Sequence, residues 1–311
     1  MEAANRREWL AERFEENRDH LQAVAYRLLG SASEAEDAVQ EAWMRLSRSD
    51  TSNVENLGGW LTTVVSRVCL DMLRARAARR EEPMGEQLPE PAANTREGAD
   101  PEQEALLADS VGLALLVVLD RLRPAERLAF VLHDVFAVPF EEIATILGRS
   151  AVSVRQLASR ARRRVQGSTT VSAGDLAAQR RVVDTFLSAL RAGDLNGILA
   201  VLDPDVVRRA DHVAAPSAAE REIHGAALVA QESLSHMKEA RFARPALVDE
   251  SVGIIVAPRG QLLIAMRCKV TAGKIVEMDV IADPERLRQL ELAALDDTLA
   301  APQQSTCMRS V

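Results

Sequence analysis

The sequence predicts a chain of several domains: two all-α helical domains, the second with a helix-turn-helix, followed by an α+β domain. Three observations carry this. Apolar residues recur at helical spacing through residues 1–80 and again through 111–167; a segment rich in acid and proline, 81–110, parts the two; and beyond residue 200 the pattern turns to strand-like alternation broken by turn residues.

The first domain reads as helices over 9–14, 21–29, 34–46 and 57–79. Gly30 ends the second of these, and Ser33-Glu34-Ala35-Glu36 has the S-x-x-E form of a capping box, with Ser33 taking a free backbone N–H and Glu36 reaching back. Residues 50–56 are polar and turn-prone, hence a loop. The long helix after it sets Trp60, Leu61, Val64, Val65, Val68, Cys69, Met72 and Leu73 on one stripe and ends in bare positive charge at Arg74, Arg76, Arg79 and Arg80. Residues 81–110 read as an acidic flexible linker. Helical pattern returns over 111–122, 124–135, 140–147 and 151–165, and a break at 167–174 opens the third domain. There, helix-like runs at 176–191, 195–202 and 226–237 mix with strand-like runs at 206–212, 242–249, 252–257, 261–270 and 274–281. Val276, Met278 and Val280 alternate with Glu277 and Asp279 as a half-buried strand requires. The domain bounds that follow are 1–80, 111–167 and 175–290, with a tail at 291–311.

Composition excludes several classes. With 47% hydrophobic and 27% charged residues, the 311-residue chain is globular and large enough for two or three cores. It has no run of about 18 uncharged apolar residues and no apolar leader, so neither a membrane span nor secretion is expected. Cys69, Cys268 and Cys307 are scattered, which supports no disulfide framework, zinc site or cofactor cluster. A reduced, cytoplasmic protein without metal or cofactor is expected. The net charge of -8 is unevenly placed: residues 81–110 alone carry nine acids against one base, whereas 111–174 carry nine bases against five acids.

The most specific local signal lies in that basic segment. Phe140-Glu-Glu-Ile-Ala144-Thr-Ile-Leu147-Gly148-Arg-Ser-Ala151-Val-Ser-Val154-Arg-Gln-Leu157 places a small residue at a helix crossing, a glycine at the turn and apolar residues behind the second helix, with Ser150 as its N-cap. That leaves Ser153, Arg155, Gln156, Ser159, Arg160 and Arg163 directed outward, with Arg149 at the turn. From Ile143 to Gly174 there are six arginines and no acid, so the helix suits phosphates, while Arg and Gln can read base edges in a major groove. The plain alternative is a solvated basic helix in an ordinary hairpin.

Residues 18–80 resemble region two of the sigma-70 family, extracytoplasmic-function group, on Asp37-Ala-Val-Gln40-Glu41-Ala-Trp43-Met44-Arg-Leu46 followed by Gly59-Trp60-Leu61-Thr-Thr-Val-Val-Ser-Arg67-Val-Cys-Leu70-Asp71-Met-Leu73-Arg74. Residues 111–166 are similar to region four of the same group. The resemblance implies that Asp37, Gln40, Glu41 and Met44 face the clamp helices of core RNA polymerase. It further implies that the -10 element meets the 48–56 loop and following helix through Asn53, Asn56, Trp60, Arg67 and Arg74, and that the second helix of the helix-turn-helix reads the -35 element. The chemistry agrees: melting DNA needs a pocket for an extruded base and cations along the separated strand.

The third domain resembles the SnoaL-like, cone-shaped α+β domains fused to a subset of these factors, on Lys274-Ile-Val-Glu-Met-Asp-Val-Ile-Ala282-Asp283-Pro284-Glu285-Arg286-Leu287. Leu88-Pro89-Glu90-Pro91 is similar to a motif of their inter-region linkers and implies an interdomain contact there. One departure is that Asp211 is followed by His212-Val-Ala-Ala-Pro216 and not by a glycine-rich stretch. Free-standing relatives bind or isomerise small molecules, which makes Asp211, His212 and Asp279 a candidate pocket, with His224, His236 and Arg267 behind. Adjacent strand residues point to opposite faces, which argues against an Asp211–His212 dyad and against an enzyme. The leading expectation is a promoter-specific initiation factor, monomeric, regulated in cis by its C-terminal domain, with a small ligand there left open. The alternatives are a helix-turn-helix module tethered to a ligand-binding or isomerase-type domain, and a plain repressor.

Overall fold

The computed structural model describes residues 2–49, 54, 56–81, 112–167 and 171–295, and its contacts divide the chain into two units, residues 1–107 with 119–163 and residues 108–118 with 164–311. In the first unit, α1 (Glu2–Leu29) is one helix where two were expected. Residues 15–20 contain no glycine or proline, and their polar side chains pair along the helix, Arg13 with Glu16 at 2.7 Å and Arg18 with Glu15 at 3.1 Å. Gly30, at φ +75°, ends it and donates to the Tyr26 carbonyl at 2.8 Å.

The cap of α2 (Ala32–Arg48) is Ser31, not Ser33. Two S-x-x-E frames overlap here, and Gly30 selects the earlier: Ser31 has extended φ/ψ and accepts from the Glu34 N–H, whereas Ser33 already lies inside the helix. Glu36 consequently pairs with Arg18 at 2.6 Å rather than reaching back. Helix α3 (Leu57–Glu81) completes a three-helix core of Leu21, Val24 and Leu28 against Ala35, Ala38 and Ala42 and against Leu61, Val65 and Cys69, all fully buried.

Helix α4 (Leu113–Asp120) straddles the division between units. After it come α5 (Pro124–Phe130), opened by proline at its first turn, α6 (Phe140–Leu147) and α7 (Ala151–Gln166). The run expected as one helix over 124–135 changes to a π turn at Val131–Val135, where His133 stacks on Phe140 with ring centroids 3.8 Å apart. Arg127 on α5 is 2% exposed and binds Asp120 at 3.3 Å and the Arg27 carbonyl at 3.5 Å. Gly30 lies beneath it, so close that a Cβ there would stand 3.4 Å from the guanidinium. Burial pulls the Arg127 pKa down to about 10, with Asp120 opposing the fall, so the group is charged at neutral pH.

The second unit packs α8 (Ala173–Ala192), α9 (Leu195–Val201) and α10 (Ala226–Ser235) on one face of a seven-stranded sheet. Its strands are β1 (Leu202–Ala210), β2 (Glu222–His224), β3 (Ala243–Val248), β4 (Ser251–Val256), β5 (Ile264–Thr271), β6 (Lys274–Ile281) and β7 (Leu292–Ala293), in the order β2-β1-β6-β5-β4-β3-β7, and α11 (Pro284–Gln289) lies between the last two in sequence. Only the β1–β6 pairing is parallel. The inner face, with Val206, Val252, Ile254, Cys268 and Met278, meets Val183, Phe186 and Leu190 of α8 and Val229 of α10. On the outer face Ala246, Val248, Ile255, Ala265 and Ile281 are also buried within the single chain. β2 and β7 are too short to show alternation, and β7 carries the sheet past residue 290, where sequence placed the start of a tail.

Truncating Arg127 to Ala should cost about 3 kcal/mol, because it removes the volume of a buried side chain together with its charge, while Arg127→Met, which keeps the volume, should cost much less. Urea denaturation of both variants measures this, and equal losses would mean that the charge, which both variants lack, and not the packing holds the site.

Candidate functional site

The turn of the helix-turn-helix is built by Gly148, whose φ of +62° only a glycine adopts without strain, and by Ser150, which accepts from the Ser153 N–H at 3.2 Å. Ile143, Ile146 and Leu147 of α6 bury against Val154, Leu157, Ala158 and Ala161 of α7. Arg149, Arg155, Gln156, Ser159, Arg160 and Arg163 are exposed, and Ser153 is half-buried. The arginines differ in freedom. Arg160 is tied through Nε to the buried Glu126 at 3.1 Å, and Arg162 to Asp134 at 2.8 Å, so both fasten α7 to the preceding helices. Arg155 lies over the Phe140 ring at 5.1 Å, 4.0 Å from Glu141, which aims it without burying it.

On α2, Asp37, Gln40, Glu41 and Met44 fall at i, i+3, i+4 and i+7 and so share one face. Asp37, Gln40 and Met44 are exposed, the last at 42%, and Glu41 is held by Arg45 at 2.9 Å. Beside them runs a groove of about 260 Å³ between α1 and α2, floored by Phe14, Val39 and Trp43 and rimmed by Glu15, Arg18 and Gln40. The sequence reading missed this groove, because its two walls lie some 25 residues apart in the chain.

Of the residues assigned to the -10 side, Asn53 lies outside the described residues, as do Leu88, Pro89, Glu90 and Pro91 of the linker motif. Asn56 accepts from the Gly59 N–H at 3.0 Å and therefore caps α3. Trp60 is half-buried, and Arg74 is exposed beside Asp71 at 3.8 Å. Arg67 is exposed yet donates to the Thr145 carbonyl of α6 at 3.3 Å, and Arg76 bonds Glu34 and the Leu29 carbonyl, so the basic end of α3 is partly engaged inside its own unit.

The candidate pocket of Asp211, His212 and Asp279 is not assembled. The Asp211 carboxylate accepts backbone N–H bonds from Val213, Ala214, Ala282 and Asp283 at 2.9 to 3.1 Å, with Arg286 at 3.5 Å. Burial alone would raise its pKa, but these bonds outweigh burial and hold it below the ordinary carboxylate range. It is a structural knot joining the β1 exit to the start of α11. His212 is exposed at 3.8 Å from Asp283, and Asp279 pairs with Arg267 at 3.2 Å across the outer face. His224 binds Glu222 at 2.9 Å, and His236 lies 3.9 Å from Glu232. Among the described residues no group of three or more His, Cys, Asp or Glu could hold a metal ion, and no helix is long and apolar enough to cross a membrane.

Residues 13–79 match the family model of Sigma-70 region 2, and residues 112–165 that of Sigma-70, region 4. The chain is 41% identical to the ECF RNA polymerase sigma factor SigJ of Mycobacterium tuberculosis (strain ATCC 25618 / H37Rv) over 286 residues, covering 88% of this chain and 91% of the relative. It is 35% identical over 274 residues to the probable ECF RNA polymerase sigma factor SigI of Mycobacterium tuberculosis (strain CDC 1551 / Oshkosh), covering 88% and 93%. The crystal structure of Mycobacterium tuberculosis SigJ aligns with 37% identity over 89% of this chain and 98% of that one, with a TM-score of 0.43.

Because the folded Asp211 holds its proton less tightly than the unfolded residue, its contribution to stability is full above about pH 4 and is lost as pH falls through the lower folded value. Asp211→Asn should therefore destabilise the α+β domain by about 3 kcal/mol at pH 7, through loss of charge-assisted bonds, with the gap closing below about pH 4. Urea melts across pH measure the gap, and one independent of pH would contradict this.

Proposed function

The chain belongs to the extracytoplasmic-function group of the sigma-70 family of RNA polymerase sigma factors, and from that premise we propose how its surfaces divide the work. As a sigma factor it binds core RNA polymerase and promoter DNA and directs promoter-specific initiation. The observation that carries the assignment of surfaces is the exposed basic face of α7, capped by Ser150 behind a left-handed Gly148. In this reading Arg155 and Gln156 meet base edges of the -35 element, and Arg149, Ser153, Ser159 and Arg163 serve as backbone contacts. Arg160 acts mainly as a strut, given its bond to Glu126. Asp37, Gln40, Glu41 and Met44 form the face for the clamp helices, extended by the groove beside Gln40. Trp60, Arg67 and Arg74 serve the -10 element, with Asn56 holding the start of their helix. The factor acts in the cytoplasm, where the polymerase works.

The first unit, as folded here, cannot lie on both elements at once. Their centres are roughly 20 base pairs apart, about 70 Å along B-DNA, whereas a compact body of some 150 residues has a radius of gyration of about 15 Å. The Arg67 bond to Thr145 and the Arg127 network would have to open on promoter binding. Regulation in cis by the C-terminal domain is then a bias on that opening. The reading of this domain as non-catalytic is supported by the saturated Asp211, which has no lone pair placed to act as a base.

Run-off transcription with core polymerase on a GC-rich promoter library, using the full chain beside one ending at Gly174, tests the proposal. Specific transcripts are expected from the full chain, altered in yield or promoter choice on truncation, and identical output would remove the cis-regulatory role. Arg155→Ala should weaken -35 binding by about 10- to 100-fold and relax specificity there, whereas Arg163→Ala should weaken binding of all sequences alike.

A further inference from the structure

We infer that His133 and Phe140 are positioning residues for Arg155, a stacked pair that holds its guanidinium ready to read a base edge; this rests on the assignment of α7 to the -35 element. All three lie within one unit, on the π turn, at the start of α6 and near the start of α7. The Arg155 side chain is 59% exposed, so burial does not hold it. A free arginine on a helix surface samples many rotamers and loses that freedom when it binds. Arg155 instead lies over the Phe140 ring, 5.1 Å from its centroid, with the Glu141 carboxylate at 4.0 Å. An arginine stacked on a ring keeps the edge of its planar fork, with the N–H donors, open to the two acceptors of guanine, O6 and N7.

The ring that seats Arg155 is itself held. Phe140 stacks on His133, with centroids 3.8 Å apart and planes 29° from parallel. The imidazole is oriented by its own bond: a carbonyl only accepts, so the contact of Nδ1 with the Val138 carbonyl at 3.1 Å puts a proton on Nδ1 and fixes the turn of the ring. The backbone that brings the two rings together departs twice from regular geometry. Val131–Val135 is a π turn, and Ala137 stands at φ +55° although it is not glycine. The loop is closed by the Val138 N–H on the Leu132 carbonyl at 2.9 Å and by the Ala137 N–H on the His133 carbonyl at 3.1 Å. Both departures are unfavourable by themselves, and such features concentrate where a side chain must be aimed. Pro139 then starts α6 with Phe140 as its first residue. Packing alone does not call for an aromatic there. Ile143 and Leu147 form the buried stripe of α6, and an aliphatic residue at 140 would extend it equally well. What a ring adds is a face that attracts a cation and a surface on which an imidazole stacks.

Selection of the full chain and its variants against a library of randomised DNA duplexes tests this. Arg155→Ala identifies the base position that this side chain reads. Phe140→Leu should lower the preference at that position alone by about fivefold, the scale of one exposed contact between a cation and a ring. His133→Ala should lower the same preference by about twofold, through loss of the stack, and Phe140→Tyr should keep it. In the free chain, the δ-methylene protons of Arg155 should lose their ring-current shift in Phe140→Leu and retain it in Phe140→Tyr. A preference unchanged in Phe140→Leu or His133→Ala, a loss spread evenly over all positions, an equal loss in Phe140→Tyr, or an Arg155 resonance that does not move would each overturn the positioning role. Absence of any base preference in the wild-type chain would instead overturn the -35 reading, and the ring-current measurement, which needs no DNA, then decides by itself whether Arg155 is seated.

Discussion

The buried charge of Arg127 ties the helices of the first unit together. It sits on α5 beside Gly30 and reaches Asp120 and the Arg27 carbonyl, so that one guanidinium bonds the ends of both α1 and α4. Taking such a group out of water is expensive, and it is tolerated only because partners converge on it. A network of this kind is stiff while complete and opens sharply once a partner is withdrawn. Arg76 shares the same Asp120, at 3.9 Å, and so couples the basic end of α3 to the same event.

The α+β domain follows the opposite economy of charge. Its one deeply held carboxylate, Asp211, is saturated by backbone donors and stitches the end of β1 to the cap of α11, where Asp283 in turn accepts from Glu285 and Arg286.

Much of this was legible in the sequence, and the exceptions have physical causes. Helices α2, α3, α6 and α7 follow from apolar spacing and glycine stops, and the outward side of α7 follows from its arginines. Ser33 was mistaken for the cap because two frames with the same chemistry overlap, and only the position of Gly30 in space separates them. The merging of the first two helical runs reflects a polar stretch with no breaker, in which side-chain pairs support the helix that hydrophobic periodicity leaves unmarked.

The sequence by itself determined the helices α2, α3, α6 and α7 and which face of α7 is basic, because these depend on local periodicity and on turn chemistry. Only the tertiary structure decided which polar groups remain available. Arg160 and Arg162 look like their neighbours in sequence but are tied to Glu126 and Asp134, and Asp211, an apparent catalytic acid, is consumed by four amides. Availability depends on donors and acceptors brought together from distant parts of the chain, as when the Ala282 and Asp283 N–H groups reach Asp211, and no local pattern encodes that meeting.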